Sequence, residues 1–236
     1  MPSAVVFGAR NLGKATIDLL VAQGWEVTGA ARSQSTLEGV TAAGATAVEA
    51  DITDPASVRD TIAAAAEAQA GVDLVLNAAA AYGGSRGGGH FGGGPVVEAG
   101  LEDFDSWTVA PARAAFTFLS GAAPFMLEQG RPATLIQVTG GSTRRAMAGR
   151  GLWAAGSFGV RAITNAAALE LRPHGIHVAL LIVDAGIEPL ANAGQGGPAS
   201  ADPRQIADAV LFLATQGARA ATHELQVTPL AETWVP

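Results

Sequence analysis

Short apolar runs alternate along this chain with longer, alanine-rich segments that have helical spacing. The strand-like runs are Ala4–Phe7, Glu26–Gly29, Ala45–Glu49, Val72–Leu76, Thr134–Val138, His177–Val183 and Leu225–Thr228. The helical segments cover residues 12–23, 34–43, 55–69, 102–128, 153–172 and 203–216. The strand-like runs have apolar flanks on both sides, as parallel strands do when helices cover both faces of their sheet. The pattern therefore predicts an α/β fold, with about seven strands in one doubly wound parallel sheet.

The composition indicates a globular protein and argues against some kinds of binding partner. The chain has 236 residues, 49% of them apolar and 15% charged, which predicts one globular domain over residues 1–236. The net charge of −7 argues against a nucleic-acid or anionic-membrane partner, because either would need a basic surface. There is no cysteine, no stretch of about 20 apolar residues and no signal-peptide pattern, so we expect a cytoplasmic protein without disulfides.

Two long glycine-containing segments interrupt the alternation. Residues 82–100 follow the fourth strand, and residues 184–201 follow the sixth strand. Both leave the carboxyl ends of predicted strands, and open α/β sheets bind ligands at that edge. The sequence therefore indicates a binding cleft bordered by these two loops.

A glycine turn joins the first strand to the first helix. Its residues are Gly8, Ala9, Arg10, Asn11, Leu12 and Gly13. Glycines let the backbone approach a pyrophosphate closely, and the N-terminus of the following helix supplies N–H donors and a positive dipole. A strand before the turn and a helix after it predict a Rossmann-like dinucleotide site, although the glycine spacing is one residue shorter than usual.

The end of the second strand favours NADP(H) over NAD(H). Gly29-Ala30-Ala31-Arg32-Ser33 contains no acidic residue to hold a ribose 2′-hydroxyl group. Arg32 and Arg10 can instead surround a 2′-phosphate. Further contacts to adenine and ribose are expected from residues that follow the third and fourth strands, namely Asp51, Ile52, Asn77, Ala78 and Ala79.

These motifs resemble those of the short-chain dehydrogenase/reductase superfamily over essentially the whole chain. The glycine turn is similar to a shortened form of that family's turn, and Asp51-Ile52 is similar to its adenine-contacting motif. Asn77-Ala78-Ala79 resembles the family's Asn-Asn-Ala-Gly motif, and Ala168–Leu171 resembles the end of its active-site helix. The resemblance implies a nicotinamide cofactor and oxidoreductase chemistry.

The same resemblance implies that the family's catalytic tetrad is replaced. Its Tyr, Lys, Ser and Asn fall, in that order, at Trp153, Ser157, Gly140 and Pro111. Two hydroxyl side chains, Thr139 and Ser142, flank the Ser position. In the family, Tyr donates a proton while the cofactor delivers hydride, and an indole N–H cannot supply that proton near neutral pH.

Other side chains are candidates for the missing proton donor. Tyr82, the only tyrosine, and His90 lie on the first long loop, whereas Asp184 and Glu188 lie on the second. The favoured interpretation of each, however, is an ordinary exposed loop residue. Arg144-Arg145 is interpreted as a solvated pair, with an acidic substrate as the alternative, and no metal site is indicated.

Three functions remain open from the sequence. The chain is an NADP(H)-binding protein without standard catalysis, an NADP(H)-dependent oxidoreductase with a non-standard or substrate-borne proton donor, or a non-redox enzyme such as a dehydratase or cyclase. The apolar helices over 102–128 and 153–172 also predict a homodimer or homotetramer, since the family commonly pairs through these helices.

Overall fold

Seven parallel strands form the central sheet of the computed structural model, which describes residues 1–79 and 90–233. The described residues contain these seven strands and two short ones. In chain order they are β1 (Ser3–Phe7), β2 (Glu26–Ala31), β3 (Thr46–Glu49), β4 (Leu74–Asn77), β5 (Ala133–Gly140), β6 (Ile176–Val183), β7 (Gly186–Ile187), β8 (Ser200–Ala201) and β9 (Glu224–Val227). The sheet order is β3-β2-β1-β4-β5-β6-β9, and β7 and β8 form a separate parallel pair. The predicted Rossmann-like α/β fold is confirmed.

Helices cover both faces of this sheet. They are α1 (Leu12–Ala22), α2 (Gln34–Ala42), α3 (Pro55–Gln69), α4 (Leu101–Phe104), α5 (Ala110–Gln129), α6 (Gly151–Leu171) and α7 (Pro203–Ala214). Side chains alternate across a strand, so Val5 and Phe7 of β1 enter one core while Ala4 and Val6 enter the other. None of the described helices is long and apolar enough to cross a membrane.

The helix expected over 102–128 is interrupted. A π-helical turn over Asp105–Val109 separates α4 from α5, and Pro111 is the second residue of α5. Proline has no N–H to donate to the carbonyl of Trp107, four residues earlier. That carbonyl faces Gly156 on α6, where a Cβ atom would overlap it. The proline therefore belongs to a close contact between two helices as well as to a bend.

The second long loop has more structure than the sequence indicated. Gly186–Ile187 and Ser200–Ala201 pair as β7 and β8, and a 3-10 turn covers Leu190–Asn192. We call residues 186–201 the strap, a loop beyond β6 whose two ends pair with each other as β7 and β8.

Candidate functional site

A cleft of about 780 Å³ opens at the carboxyl ends of β1, β2, β4, β5 and β6. The strand order reverses between β1 and β4, and ligands of open α/β sheets bind at such a point. Ten of the eleven predicted cofactor contacts line the cleft: Gly8, Arg10, Asn11, Leu12, Arg32, Asp51, Ile52, Asn77, Ala78 and Ala79. The eleventh, Gly13, does not line it.

The glycine turn is built by close backbone packing. Gly8 has φ of +80°, and a Cβ atom there would overlap the backbone of Ala78 and Ala79. A Cβ atom at Gly13 would overlap the carbonyl oxygen of Gly8. Gly13 therefore closes the short turn on itself instead of facing the cleft.

Charged side chains gather at the β2–β3 end of the cleft. The side chain of Arg32 is 73% exposed and its Nη1 lies 3.8 Å from a carboxylate oxygen of Asp51, while Arg10 is also exposed. The backbone N–H of Thr53 donates to Asp51 at 2.9 Å and its hydroxyl at 2.8 Å. These hydrogen bonds, with a smaller contribution from the charge of Arg32, lower the pKa of Asp51 below its ordinary value although burial opposes them.

Two hydroxyl groups beside Arg32 were missed by sequence reasoning. Ser33 precedes the first residue of α2, and its Oγ lies 2.7 Å from Oγ1 of Thr36 in the first turn. Both residues line the cleft next to Arg32. The signal was the N-cap position of Ser33, at the start of a helix whose N–H groups and dipole favour an anion.

The floor of the cleft is a buried amide pair. Nδ2 of Asn77 donates to Oε1 of Gln137 at 2.9 Å, and Oδ1 of Asn77 accepts the N–H of Ala79 at 3.0 Å. Gln137 in turn donates to the carbonyl of Val138. The pair holds the ends of β4 and β5 together below the ligand space, and Gln137 has no motif that would reveal this role.

The tetrad positions divide between the cleft surface and the interior. Pro111, Gly140 and Trp153 line the cleft, as does Thr139. Ser157 is 1% exposed, does not line the cleft, and its hydroxyl has no hydrogen-bond partner among the described residues.

Ser142, the second hydroxyl beside the Ser position, is also buried at 1% exposure and lies outside the cleft lining. Thr139 is therefore the flanking hydroxyl residue that reaches the ligand space.

Trp153 is held in place on two sides. A Cβ atom at Gly140 would lie 3.2 Å from Cζ2 of the indole, so the ring rests against a position without a side chain. The ring of Phe91 meets Trp153 edge-on with centroids 5.0 Å apart, and it meets Trp107 in the same way at 5.1 Å. Such edge-to-face contacts fix ring orientation.

Of the two predicted alternative proton donors on the first loop, the structure describes His90. Tyr82 lies outside the residues that the structure describes. His90 is exposed and does not line the cleft. Its ring instead lies beside the backbone of Gly94, in a turn of the segment that leads to α4.

Asp184 was expected to be able to reach the cleft, but its carboxylate turns away from it. One oxygen lies 3.5 Å from Nη2 of Arg145, and the group packs against the backbone of Gly141. Burial raises the pKa of Asp184 and Glu232 adds to the rise, whereas the charge of Arg145 opposes it. The group is a buried ion-pair partner.

Glu188 also turns away from the cleft. Its carboxylate accepts the backbone N–H groups of Gly194 and Gly196, and its side chain is buried inside the strap. The expectation that Glu188 could face the cleft is therefore wrong, because backbone donors of its own loop satisfy it.

The interpretation of Arg144 and Arg145 as a solvated pair is wrong. Arg144 lies 2.9 Å from a carboxylate oxygen of Glu224, and Arg145 pairs with Asp184. Glu224 also accepts hydrogen bonds from Arg161 at 2.6 Å and from Asn165 at 2.7 Å. Burial alone would raise the pKa of Glu224, but these hydrogen bonds and the two arginine charges lower it.

The side chain of Asn11 forms hydrogen bonds with the backbone of the strap. Its Nδ2 donates to the carbonyl of Glu188 at 3.0 Å, and its Oδ1 accepts the N–H of Leu190 at 2.7 Å. The predicted cofactor residue thus joins the glycine turn to the strap, leaving its backbone to face the cleft. Sequence reasoning could not reveal this contact across 179 residues.

The sequence pattern of short chain dehydrogenases matches residues 3–187. The chain belongs to the short-chain dehydrogenase family. An uncharacterized oxidoreductase of Staphylococcus aureus is 26% identical over 96% of both chains. A short-chain dehydrogenase/reductase of Hericium erinaceus is 30% identical over 73% of this chain and 69% of its own.

Solved structures of oxidoreductases share the fold. An alcohol dehydrogenase from the archaeon Thermococcus sibiricus, complexed with 5-hydroxy-NADP, has a TM-score of 0.80 at 20% identity over all of both chains. A metagenomic short-chain oxidoreductase in complex with NADP has a TM-score of 0.73 at 24% identity over 98% of both chains. This short-chain dehydrogenase therefore shares the fold of these enzymes, with Trp153, Gly140 and Pro111 lining its cleft.

Proposed function

We propose that the cleft binds NADP(H) in preference to NAD(H). The backbone of Gly8–Gly13 and the start of α1 would take the pyrophosphate. Arg10 and Arg32, with the hydroxyls of Ser33 and Thr36, would take the 2′-phosphate, because anions are held well by guanidinium groups and helix N-termini. Two fold neighbours that are complexes with NADP or an NADP derivative support the proposal.

The remaining predicted contacts divide along the cleft. Asp51 and Ile52 would border the adenine, and Asn77–Ala79 the ribose. When bound, NADPH would supply the hydride, and the protein supplies position and environment.

We also propose that this protein does not reduce carbonyl groups by the family's standard mechanism. The observation that carries this is Trp153, which lines the cleft where the resemblance puts the proton-donating Tyr. The charged residues among the described lining are Arg10, Arg32 and Asp51, all at the opposite end. The loss of a general acid costs roughly 10²–10⁴ in rate.

Two functions fit this site. The first is an NADP(H)-responsive binding protein. The second is an NADP(H)-dependent oxidoreductase whose substrate takes its proton from water, and the preserved cleft, with Thr139 at its surface, favours it.

Titration of the purified protein with NADPH and with NADH tests the proposal. Cofactor fluorescence would report binding, and we expect NADPH to bind about tenfold or more tightly than NADH. NADPH oxidation with a panel of aliphatic ketones should stay at background. Absence of NADPH binding would refute the cofactor proposal, and rapid ketone reduction would refute the catalytic one.

We further propose a homodimer or homotetramer that pairs through α5 and α6. Phe116, Phe158 and Leu169 project from these helices with 57%, 44% and 63% exposure. Light scattering should show Phe158→Glu shifting toward monomer. Phe212→Glu on α7, whose ring is 53% exposed on the other face of the sheet, should not. A wild-type monomer at all concentrations would contradict the proposal.

The expectations of one domain, a cytoplasmic location and no nucleic-acid or membrane partner stay predictions.

A further inference from the structure

We propose that the β5–β6 end of the cleft binds a neutral, planar, conjugated ring compound against the indole of Trp153. The proposal names the substrate class of the oxidoreductase function above and rests on that function for its chemistry. Binding of the ring itself can be measured without cofactor.

The lining of this end is almost wholly apolar. Apart from Thr139 and the amide of Gln137 on the floor, its described residues are apolar and include Pro111, Val138, Trp153, Val160 and Val183. A sugar or polyol would leave most of its hydroxyl groups unpaired against such a surface. An anionic ligand would find its cationic partners, Arg10 and Arg32, at the other end of the cleft.

A cationic ligand is disfavoured for a different reason. Arg150 holds its guanidinium carbon 5.3 Å from the centre of the Phe91 ring, and Phe91 in turn touches Trp153. The positive charge thus already occupies the aromatic cluster from its exposed side. The ligand that suits this end of the cleft is therefore neutral.

The indole favours a flat ligand. Trp153 is half-buried, its ring edge lies over Gly140, and the contact with Phe91 fixes its orientation. A rigid aromatic surface gains most from another planar ring, because offset or edge-on ring pairs attract each other beyond the effect of area burial.

The chemistry of the site selects conjugation. A conjugated acceptor spreads the negative charge that reduction leaves on it, so no proton donor is needed in the cleft. A quinone, for example, becomes a hydroquinone by taking one hydride from NADPH and one proton from water. NADPH becomes NADP⁺, and atoms and electrons balance without any residue donating a proton.

Calorimetric titration of the whole protein with menadione and decalone tests this inference. Menadione is a planar naphthoquinone, and decalone is a saturated, non-planar fused-ring ketone of similar size. We expect menadione to bind about two- to tenfold more tightly than decalone. The chain has no cysteine, so thiol addition to the quinone cannot produce a false signal.

Matched tryptophan variants locate the site. Trp153→Leu should abolish the preference for menadione. Trp153→Phe, which replaces the leucine variant if that variant folds poorly, should keep part of the preference. Trp25→Leu, at a partly buried tryptophan before β2 and away from the cleft, should leave it intact. Equal affinity for the two compounds, or a preference unchanged in both Trp153 variants, would overturn the proposal.

Measurements with cofactor present distinguish the ring-binding proposal from the NADP(H)-binding proposal. Menadione should still bind in the presence of saturating NADP⁺, and loss of binding there would assign the ring site to the nicotinamide and overturn the inference. NADPH binding measured by its own fluorescence remains an independent result. Intact NADPH binding without a menadione preference would refute the ring site alone.

Discussion

At the scale of single residues, Trp153 and Gly140 depend on each other. The indole lies so close to Gly140 that a Cβ atom there would be 3.2 Å from Cζ2, tighter than ordinary contact. The absence of a side chain at Gly140 therefore accommodates the indole of Trp153. The two residues fit each other as a pair.

A double-mutant cycle should reveal this dependence. Gly140→Ser in the wild-type background should lower the free energy of unfolding by about 1–3 kcal/mol, because the new side chain overpacks the indole. In a Trp153→Tyr background the same change should cost less, so that denaturant unfolding gives a coupling energy of about 1 kcal/mol or more. Additive costs would show that the two positions do not share space.

Arg32 should set the cofactor preference. We expect Arg32→Ala to weaken NADPH binding about tenfold while NADH binding stays the same, because only NADPH carries the 2′-phosphate. Arg59→Ala on α3 removes the same charge from an exposed position outside the cleft lining and serves as control. An equal loss of affinity for both cofactors would refute the assignment.

At the scale of elements, the sequence predicted the long helices and the sheet strands to within a few residues. Buried parallel strands are continuous apolar runs, and helices such as α3 carry their own cap and proline signals, so local pattern suffices. The two-residue strands β7 and β8 are too short to show a period. In the π-helical turn before Pro111, the carbonyl of Trp107 lies against Gly156 of another helix, and no local pattern can show that contact.

In the candidate site, too, the sequence predicted the residues that local pattern places and failed for those that distant contacts place. Arg32, Asp51 and Asn77 were found because they follow strand ends, and strand ends meet at one edge of a parallel sheet. Asp184 and Glu188 were misplaced because the direction of a loop side chain depends on distant partners. For Asp184 the partner is Arg145, 39 residues away, and for Glu188 it is the strap backbone.

Asn11 should hold the strap closed over the glycine turn. Asn11→Ala removes two hydrogen bonds worth about 1 kcal/mol each, so we expect a nonspecific protease to cut the strap about thirtyfold faster. NADPH dissociation measured by stopped flow should accelerate in parallel. Asn192→Ala, an exposed asparagine of the same strap, is the matched control. Unchanged strap cleavage in Asn11→Ala would contradict this role.

At the scale of the whole molecule, the sheet edge opposite the cleft carries a pH-sensitive histidine. His177 is the second residue of β6, its Nε2 lies 2.9 Å from the carbonyl oxygen of Thr222, and its ring centroid lies 6.0 Å from that of His223. Burial lowers the pKa of His177 below 6.5, and the charge of His223 lowers it further.

Stability should therefore fall as pH falls through about 6.5. Below that value the unfolded chain binds a proton at His177 that the folded chain does not, and the loss continues down to the folded-state pKa. Urea unfolding at about pH 7.5 and about pH 5.5 should show a smaller difference for His177→Gln than for wild type. The same difference in both proteins would exclude His177 as its source.

The contacts around Glu224 can form only late in the synthesis of the chain. Arg161 and Asn165 on α6 precede their shared acceptor by 63 and 59 residues. At a synthesis rate of about 5–20 residues per second, every growing chain holds these donors without that acceptor for roughly 3–13 s. The contacts that join α6, the helix that carries Trp153, to β9 therefore form only after this delay in synthesis.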